Sequence, residues 1–160
     1  MSEKPDHSLL RQAIDPNGTL PSVDLVPPEN WRPRKGIATD LYEIRHEGVR
    51  VGSAQIQRDS KRKENNFSHI KLDDEHRGKG FGMATYLAAI DQAHGEGHAF
   101  RTHEASQTDS AKSVWDKFIA TGLSDVIVVE PLVIGQRYDD HSPDKYAGHI
   151  RIEPQQPAVH

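Results

Sequence analysis

The chain has 160 residues, enough for one domain with a real core, and carries a net charge of −4 with no cysteine. The acidic balance speaks against nucleic-acid binding driven by bulk electrostatics, and the missing cysteine excludes a disulfide framework and a cysteine-type zinc site. No apolar run approaches the roughly 18 residues of a membrane-crossing helix.

The composition is polar for a globular domain, with 34% hydrophobic and 28% charged residues, and the two ends account for much of that. Ten histidines are present, but none falls in a His-x-x-x-His pair on a plausible helix with a nearby carboxylate, so no metal is expected. The opening MSEKPDHS is not a signal peptide. These features lead us to expect a soluble, cytoplasmic protein with no membrane partner.

Residues 1–35 read as a polar, proline-rich N-terminal segment. Residues 7–14 predict a short helix with Leu9, Leu10 and Ile14 on one side, ended by Asp15-Pro16-Asn17-Gly18. Pro21, Pro27, Pro28 and Pro33 then hold the chain extended or irregular, with Trp31 as its anchor on the core. The main domain is expected over 36–153, followed by a disordered tail at 154–160.

Residues 40–46 and 49–58 predict two strands joined at Glu47-Gly48, and 59–66 (DSKRKENN) a charged, solvated hairpin loop. Ile70 and Leu72 alternate with His69, Lys71 and Asp73, which predicts a strand over 68–73. Met83, Leu87 and Ile90, with Ala84 and Ala88 beside them, predict a helix from Met83 to about His94, stopped by Gly95 and Gly97. A strand over 99–104 follows. Ala111, Val114, Trp115, Phe118 and Ile119 mark the apolar face of a second helix, capped by Thr108, Asp109 or Ser110. A buried strand over 124–134, broken at Pro131, a polar loop over 138–146 and a last strand over 149–153 complete an α/β order.

Between the strand at 68–73 and its helix sits Arg77-Gly78-Lys79-Gly80-Phe81-Gly82. Three glycines in five residues let the backbone take positive φ and approach a ligand closely. The amides that open the next helix lack carbonyl partners within it, and the positive end of the helix dipole lies there. With Arg77 and Lys79 beside them, they form a site for phosphate or pyrophosphate. No Ser or Thr follows the lysine, so the run is not a P-loop, and Ala84 and Thr85 break the Gly-x-Gly-x-x-Gly pattern of dinucleotide folds.

The pattern that fits is Arg/Gln-x-x-Gly-x-Gly/Ala, in Arg77, Gly80 and Gly82. The run LDDEHRGKGFG resembles the acetyl-CoA-binding motif of the GNAT N-acetyltransferase superfamily, and RHEGVRVGSAQI resembles the hairpin that precedes it there. The resemblance implies a mixed, mainly antiparallel sheet with splayed central strands, flanked by helices. It implies that Ile70, Lys71 and Leu72 pair with the pantetheine arm, and that the turn from Arg77 through Gly78, Lys79, Gly80, Phe81 and Gly82 to Met83 holds the pyrophosphate. One of these amides could also polarise the thioester oxygen.

The stretch FRTHEASQTDSAKSVWDKFIATGL resembles the second GNAT motif. Ala111 matches its alanine. Thr108 falls where asparagine is usual and joins the expected cofactor-binding set. Trp115 falls where a tyrosine is usual, and having no acidic proton to give, it is read as a packing residue. Gly122-Leu123 comes three residues later than the common Gly-Phe. The resemblance covers about residues 38–135.

It implies transfer of an acetyl group from acetyl-CoA to a primary amine by direct attack. His103, with Glu104 beside it, is the expected base, His69 is a weaker candidate, and Tyr138 and Tyr146 are candidate acids. The alternative is a catalytically impaired GNAT-fold protein that binds CoA or a protein partner. The acceptor is an amine-bearing small molecule or a peptide or protein. The acidic balance favours a cationic one such as a polyamine, an aminoglycoside or a basic peptide. Many family members dimerise, so a homodimer is open.

Overall fold

The computed structural model describes residues 8–101, 109–123, 126–131 and 148–154. Helix α1 (Ser8–Ile14) and a short strand β1 (Asp24–Val26) precede three long strands, β2 (Ile37–His46), β3 (Val49–Asp59) and β4 (Glu64–Leu72). A 3-10 turn (Asp74–His76) leads into α2 (Phe81–Gly95), β5 (Ala99–Arg101), α3 (Asp109–Ala120), β6 (Ile127–Pro131) and β7 (Gly148–Ile152). The strands form one sheet in the order β1-β2-β3-β4-β5-β7-β6, and β4 with β5 is its parallel pair. This is the mixed, mainly antiparallel sheet that the resemblance implies.

The parallel pair holds Glu64 opposite Ala99 and Asn65 opposite Phe100. Beyond Asn65, β4 pairs with β3 alone among the described residues.

A bulge controls what β4 shows to each side. Gln55 lies opposite His69 and Ile56 opposite Phe67, so Ser68 is the extra residue. The insertion resets the alternation: Phe67 is buried, Ile70 and Leu72 are half-buried against the core, and His69 and Lys71 are exposed. Without it, Ile70 and Leu72 would turn to solvent.

Helix α2 begins at Phe81, two residues before the expected Met83, because the Ala84 amide reaches the Gly80 carbonyl (3.0 Å) and closes a first turn. Its buried set is wider than one stripe and includes Phe81, Tyr86, Ala89 and Ala93 as well as Leu87 and Ile90, while Ala88 is only half-buried. Residues of α1 and α3 meet it as well as the sheet: Arg11 reaches Asp91, and Trp115 and Phe118 meet Tyr86. Phe67 and Phe100 from the sheet, Tyr86 from α2, and Trp115 and Phe118 from α3 form one aromatic cluster in the core.

Residues 8–35 pack on the sheet and α2: Leu10 is in the core, Arg11 Nη2 meets Asp91 Oδ2 at 2.6 Å, and β1 pairs with β2. One further expectation is corrected. The charged loop is shorter than 59–66, because β3 runs through Asp59 and β4 starts at Glu64. Asn65 and Asn66 are buried there. Asn65 Nδ2 donates to Glu96 Oε1 (3.0 Å), and His98 Nδ1 donates to Asn65 Oδ1 (2.9 Å). The Asn65 amide is thus hydrogen-bonded at both its nitrogen and its oxygen, as burial demands.

Candidate functional site

The site grows from the end of β4, the turn after it and the start of α2. Strand β3 approaches β4 so closely that a Cβ on Gly52 would lie 2.3 Å from the Lys71 carbonyl oxygen. Only glycine permits that approach. The Asp73 amide then donates to the Val51 carbonyl (2.9 Å), which fixes where the strand ends.

The chain turns at Gly78 (φ 74°) and Gly80 (φ 88°), both left-handed. The outside of the turn is backed by the N-terminal segment: a Cβ on Gly80 would lie 3.1 Å from Leu20 Cδ2 and 3.3 Å from Pro21 Cδ. Asp15 fixes that segment by accepting from the Thr19 amide (2.7 Å) and the Leu20 amide (3.1 Å). Phe81 anchors the turn from within. Its buried ring stands edge-on between His46 (5.1 Å) and His76 (5.6 Å), and His46 Nδ1 donates to the Ser22 carbonyl (2.7 Å).

This anchoring leaves a row of donors. Among the described residues, the amides of Gly78, Lys79, Gly80, Phe81, Gly82 and Met83 have no hydrogen-bond acceptor, and no side chain caps the helix. Lys79 and Arg77 are exposed beside them. Arg77 leans back toward the strand, with Nε 3.4 Å from the Leu72 carbonyl oxygen and Nη1 3.5 Å from Asp74 Oδ1. A row of amides at the positive end of a 15-residue helix can take an anion such as a pyrophosphate.

The sequence-predicted residues divide clearly. Ile70, Lys71, Leu72 and the turn through Met83 come together at one end of the sheet. The side chains of Phe81 and Met83 belong to the packing, so these residues offer their amides. His69 lies on the exposed side of β4, opposite Gln55. His103, Glu104, Thr108, Tyr138 and Tyr146 lie outside the described residues. Leu20, Pro21, His46 and Gly52 shape the turn or its strand, and sequence reasoning missed them because their contacts cross between distant segments.

Trp115 is packed, as expected: it is 2% exposed and stacks on Phe100. Burial pushes the Tyr86 hydroxyl up to about 12, with a hydrogen bond from Trp115 working the other way. Tyr86 is thus held as a neutral core residue rather than as an acid for the site. Among the described residues, no group of three or more His, Asp or Glu side chains is placed to hold a metal ion.

No protein-family model matches this sequence, and no curated protein matches it either. Solved structures of similar fold include nourseothricin acetyltransferase (TM-score 0.48, 14% identity, covering 73% of this chain and 66% of that one). A Bacillus subtilis acetyltransferase in complex with CoA has a TM-score of 0.47 and 12% identity, covering 72% of this chain and 76% of that one. The ribosomal-protein-S18-alanine N-acetyltransferase from Escherichia coli has a TM-score of 0.46 and 12% identity, covering 79% and 74%. At identities of 12–14% and TM-scores of 0.46–0.48, these are distant similarities of architecture.

Proposed function

We propose that this chain is a GNAT-type N-acetyltransferase that moves an acetyl group from acetyl-CoA to a primary amine by direct attack. One observation carries the reading: the amides of Gly78 to Met83, acceptor-free among the described residues, lie between the end of β4 and the start of α2. A pyrophosphate on those amides would let the pantetheine arm run along Ile70, Lys71 and Leu72. Thr108 joins this cofactor-binding set in the proposal.

The chemistry needs little else. The amine nitrogen attacks the thioester carbonyl carbon, the carbon–sulfur bond breaks, and CoA leaves as a thiolate. The amine arrives as an ammonium, so a base must take a proton first, and His103 with Glu104 beside it is proposed for that step. The chain has no cysteine to form an acyl-enzyme on sulfur, which supports direct attack. The acceptor is proposed to be an amine-bearing small molecule or a peptide or protein amine.

A second reading is favoured by Trp115. Its buried ring stands where the resemblance expects a proton-donating tyrosine, which suits a CoA-binding module without turnover. Release of CoA thiol from acetyl-CoA, measured with polyamines, aminoglycosides and lysine-containing or free-N-terminal peptides, separates the two. Amine-dependent thiol release supports the transferase, whereas acetyl-CoA binding without release from any amine contradicts it.

A further inference from the structure

Two basic segments meet at the end of the sheet away from the glycine turn. Residues 31–40 and 58–64 carry seven basic and three acidic residues in a chain whose net charge is −4. Ile37 lies opposite Asp59, the Gly36 amide donates to Ser60 Oγ (2.8 Å), and the Ser60 amide donates to the Gly36 carbonyl (3.0 Å). Arg32, Arg34 and Lys35 are thereby set beside Lys61, Arg62 and Lys63, and all six are exposed. Strand β4 runs nine residues from Glu64 at this end to Leu72 before the turn, so roughly 25 Å separates the two.

The acids near the patch are engaged within the protein. Asp40 accepts from Trp31 Nε1 (3.2 Å) and pairs with Arg34 and Arg58. Asp59 accepts from the Lys61 and Arg62 amides (3.1 and 3.0 Å), and Glu96 accepts from Arg58 and Asn65. The side chains of Arg32, Lys35, Lys61 and Lys63 make no hydrogen bond or ion pair among the described residues. Trp31 adjoins them. Asp40 holds its edge and the Arg58 guanidinium lies over one face of the ring (4.9 Å). With Pro28, Asn30, Arg32, Arg34 and Asp40, Trp31 lines an open hollow of about 700 Å³.

We propose that this end of the sheet binds single-stranded nucleic acid, with phosphates on the exposed lysines and arginines and a base stacked on Trp31. A positive track beside a stacking ring is the combination that holds a single strand without reading its sequence. An acidic peptide would use the cations and leave the ring idle. The acidic net charge does not oppose binding here, because attraction in physiological salt acts over about 8 Å and is set by local groups. Nothing at this end of the sheet depends on acetyl transfer.

The test uses the full chain with fluorescein-labelled oligo(U) and oligo(dT) of about ten nucleotides, followed by fluorescence anisotropy. Binding of either strand is expected, and the tighter of the two names the sugar. Raising salt from about 50 to about 200 mM should weaken binding about 50-fold, since four phosphate contacts give a slope of about −2.8. Lys61→Gln combined with Lys63→Gln should flatten that slope by about 1.4, whereas Arg50→Gln, at the other end of β3, should leave it unchanged. Unlabelled strand should quench tryptophan emission, and Trp31→Phe should abolish the quenching, because the chain's other tryptophan, Trp115, is 2% exposed. Saturating acetyl-CoA should leave the strand bound. No binding at the lower salt, an unchanged slope in the lysine variant, or binding without quenching would overturn the inference. So would equal affinity for an oligoglutamate of the same length, or displacement by acetyl-CoA, which would put the strand on the glycine turn.

Discussion

Trp115 lies flat against Phe100, with ring centroids 6.2 Å apart and planes 13° apart. The contact joins α3 to β5, and Tyr86 and Phe118 meet the same indole edge-on at 6.1 and 5.3 Å. Its place is structural. Trp115→Ala is expected to lower stability by about 3–5 kcal/mol in urea unfolding, with Trp115→Phe recovering most of the loss. Trp115→Tyr should add no turnover, because the site of the ring is enclosed by the core.

Arg58 ties the N-terminal segment to the end of α2. Its guanidinium lies 4.9 Å from the Trp31 ring and 5.4 Å from the Tyr42 ring, and donates to both carboxylate oxygens of Glu96. The side chain is 11% exposed, so solvent screens the pair weakly. Glu96 stays open to solvent and keeps its bond from Asn65, so Arg58→Ala should cost roughly 1.5–3 kcal/mol. Arg62→Ala, which removes an exposed arginine 4.0 Å from Asp59, should cost under about 1 kcal/mol. Urea midpoints of the two variants check the contrast.

His94 gives the fold a pH dependence of known sign. Burial holds the imidazole below its ordinary value of 6.5, against the opposing effects of its hydrogen bond to the Ile152 carbonyl and of Asp91 and Glu153. As pH falls through 6.5 the unfolded chain takes the proton first, so stability is lost downward from that pH and retained above it. Unfolding free energies between neutral and mildly acid pH should show this fall, and His94→Gln should flatten it.

Gly52 sets the spacing of β3 and β4. The Lys71 carbonyl oxygen occupies the place of a Cβ, at 2.3 Å, and it is backbone that cannot swing away. Gly52→Ala should therefore destabilise the fold by about 1–3 kcal/mol or more. It should also weaken acetyl-CoA binding, because the displaced segment is Lys71-Leu72. Calorimetry and thermal unfolding of the same variant read the two effects.

The strand, glycine turn and helix from β4 to α2 were legible because periodicity and glycine spacing are local signals. The packing of Trp115 was legible too, from its place on the apolar face of α3. Strand β1 was not, since three residues between prolines carry no pattern and pair only because β2 offers an edge. The bulge at Ser68 leaves no mark in the sequence, yet it decides that His69 faces out. Asn65 and Asn66 read as loop residues, because nothing local announces their hydrogen bonds to Glu96, His98 and Gln57. The breadth of the α2 core face depends on neighbours from α1 and α3, which a single-helix pattern cannot contain.

The central claim is that the amides of the glycine turn hold the acyl donor, and thermal unfolding with and without acetyl-CoA tests it most directly. Gly82→Glu is the variant to compare. Gly82 is helical and its nearest neighbour to a Cβ is Leu72 Cδ1 at an ordinary 3.9 Å, so a side chain fits, whereas Gly80 at φ 88° would be strained. A carboxylate in the first turn suits the helix dipole but repels a pyrophosphate there. At 100 times its dissociation constant, a ligand bound only to the folded state adds about 2.7 kcal/mol, or roughly 5–10 °C for a chain this size. The account predicts that rise in the wild type and its loss in a still-folded Gly82→Glu. No rise in the wild type at millimolar acetyl-CoA, or an equal rise in the variant, would contradict it.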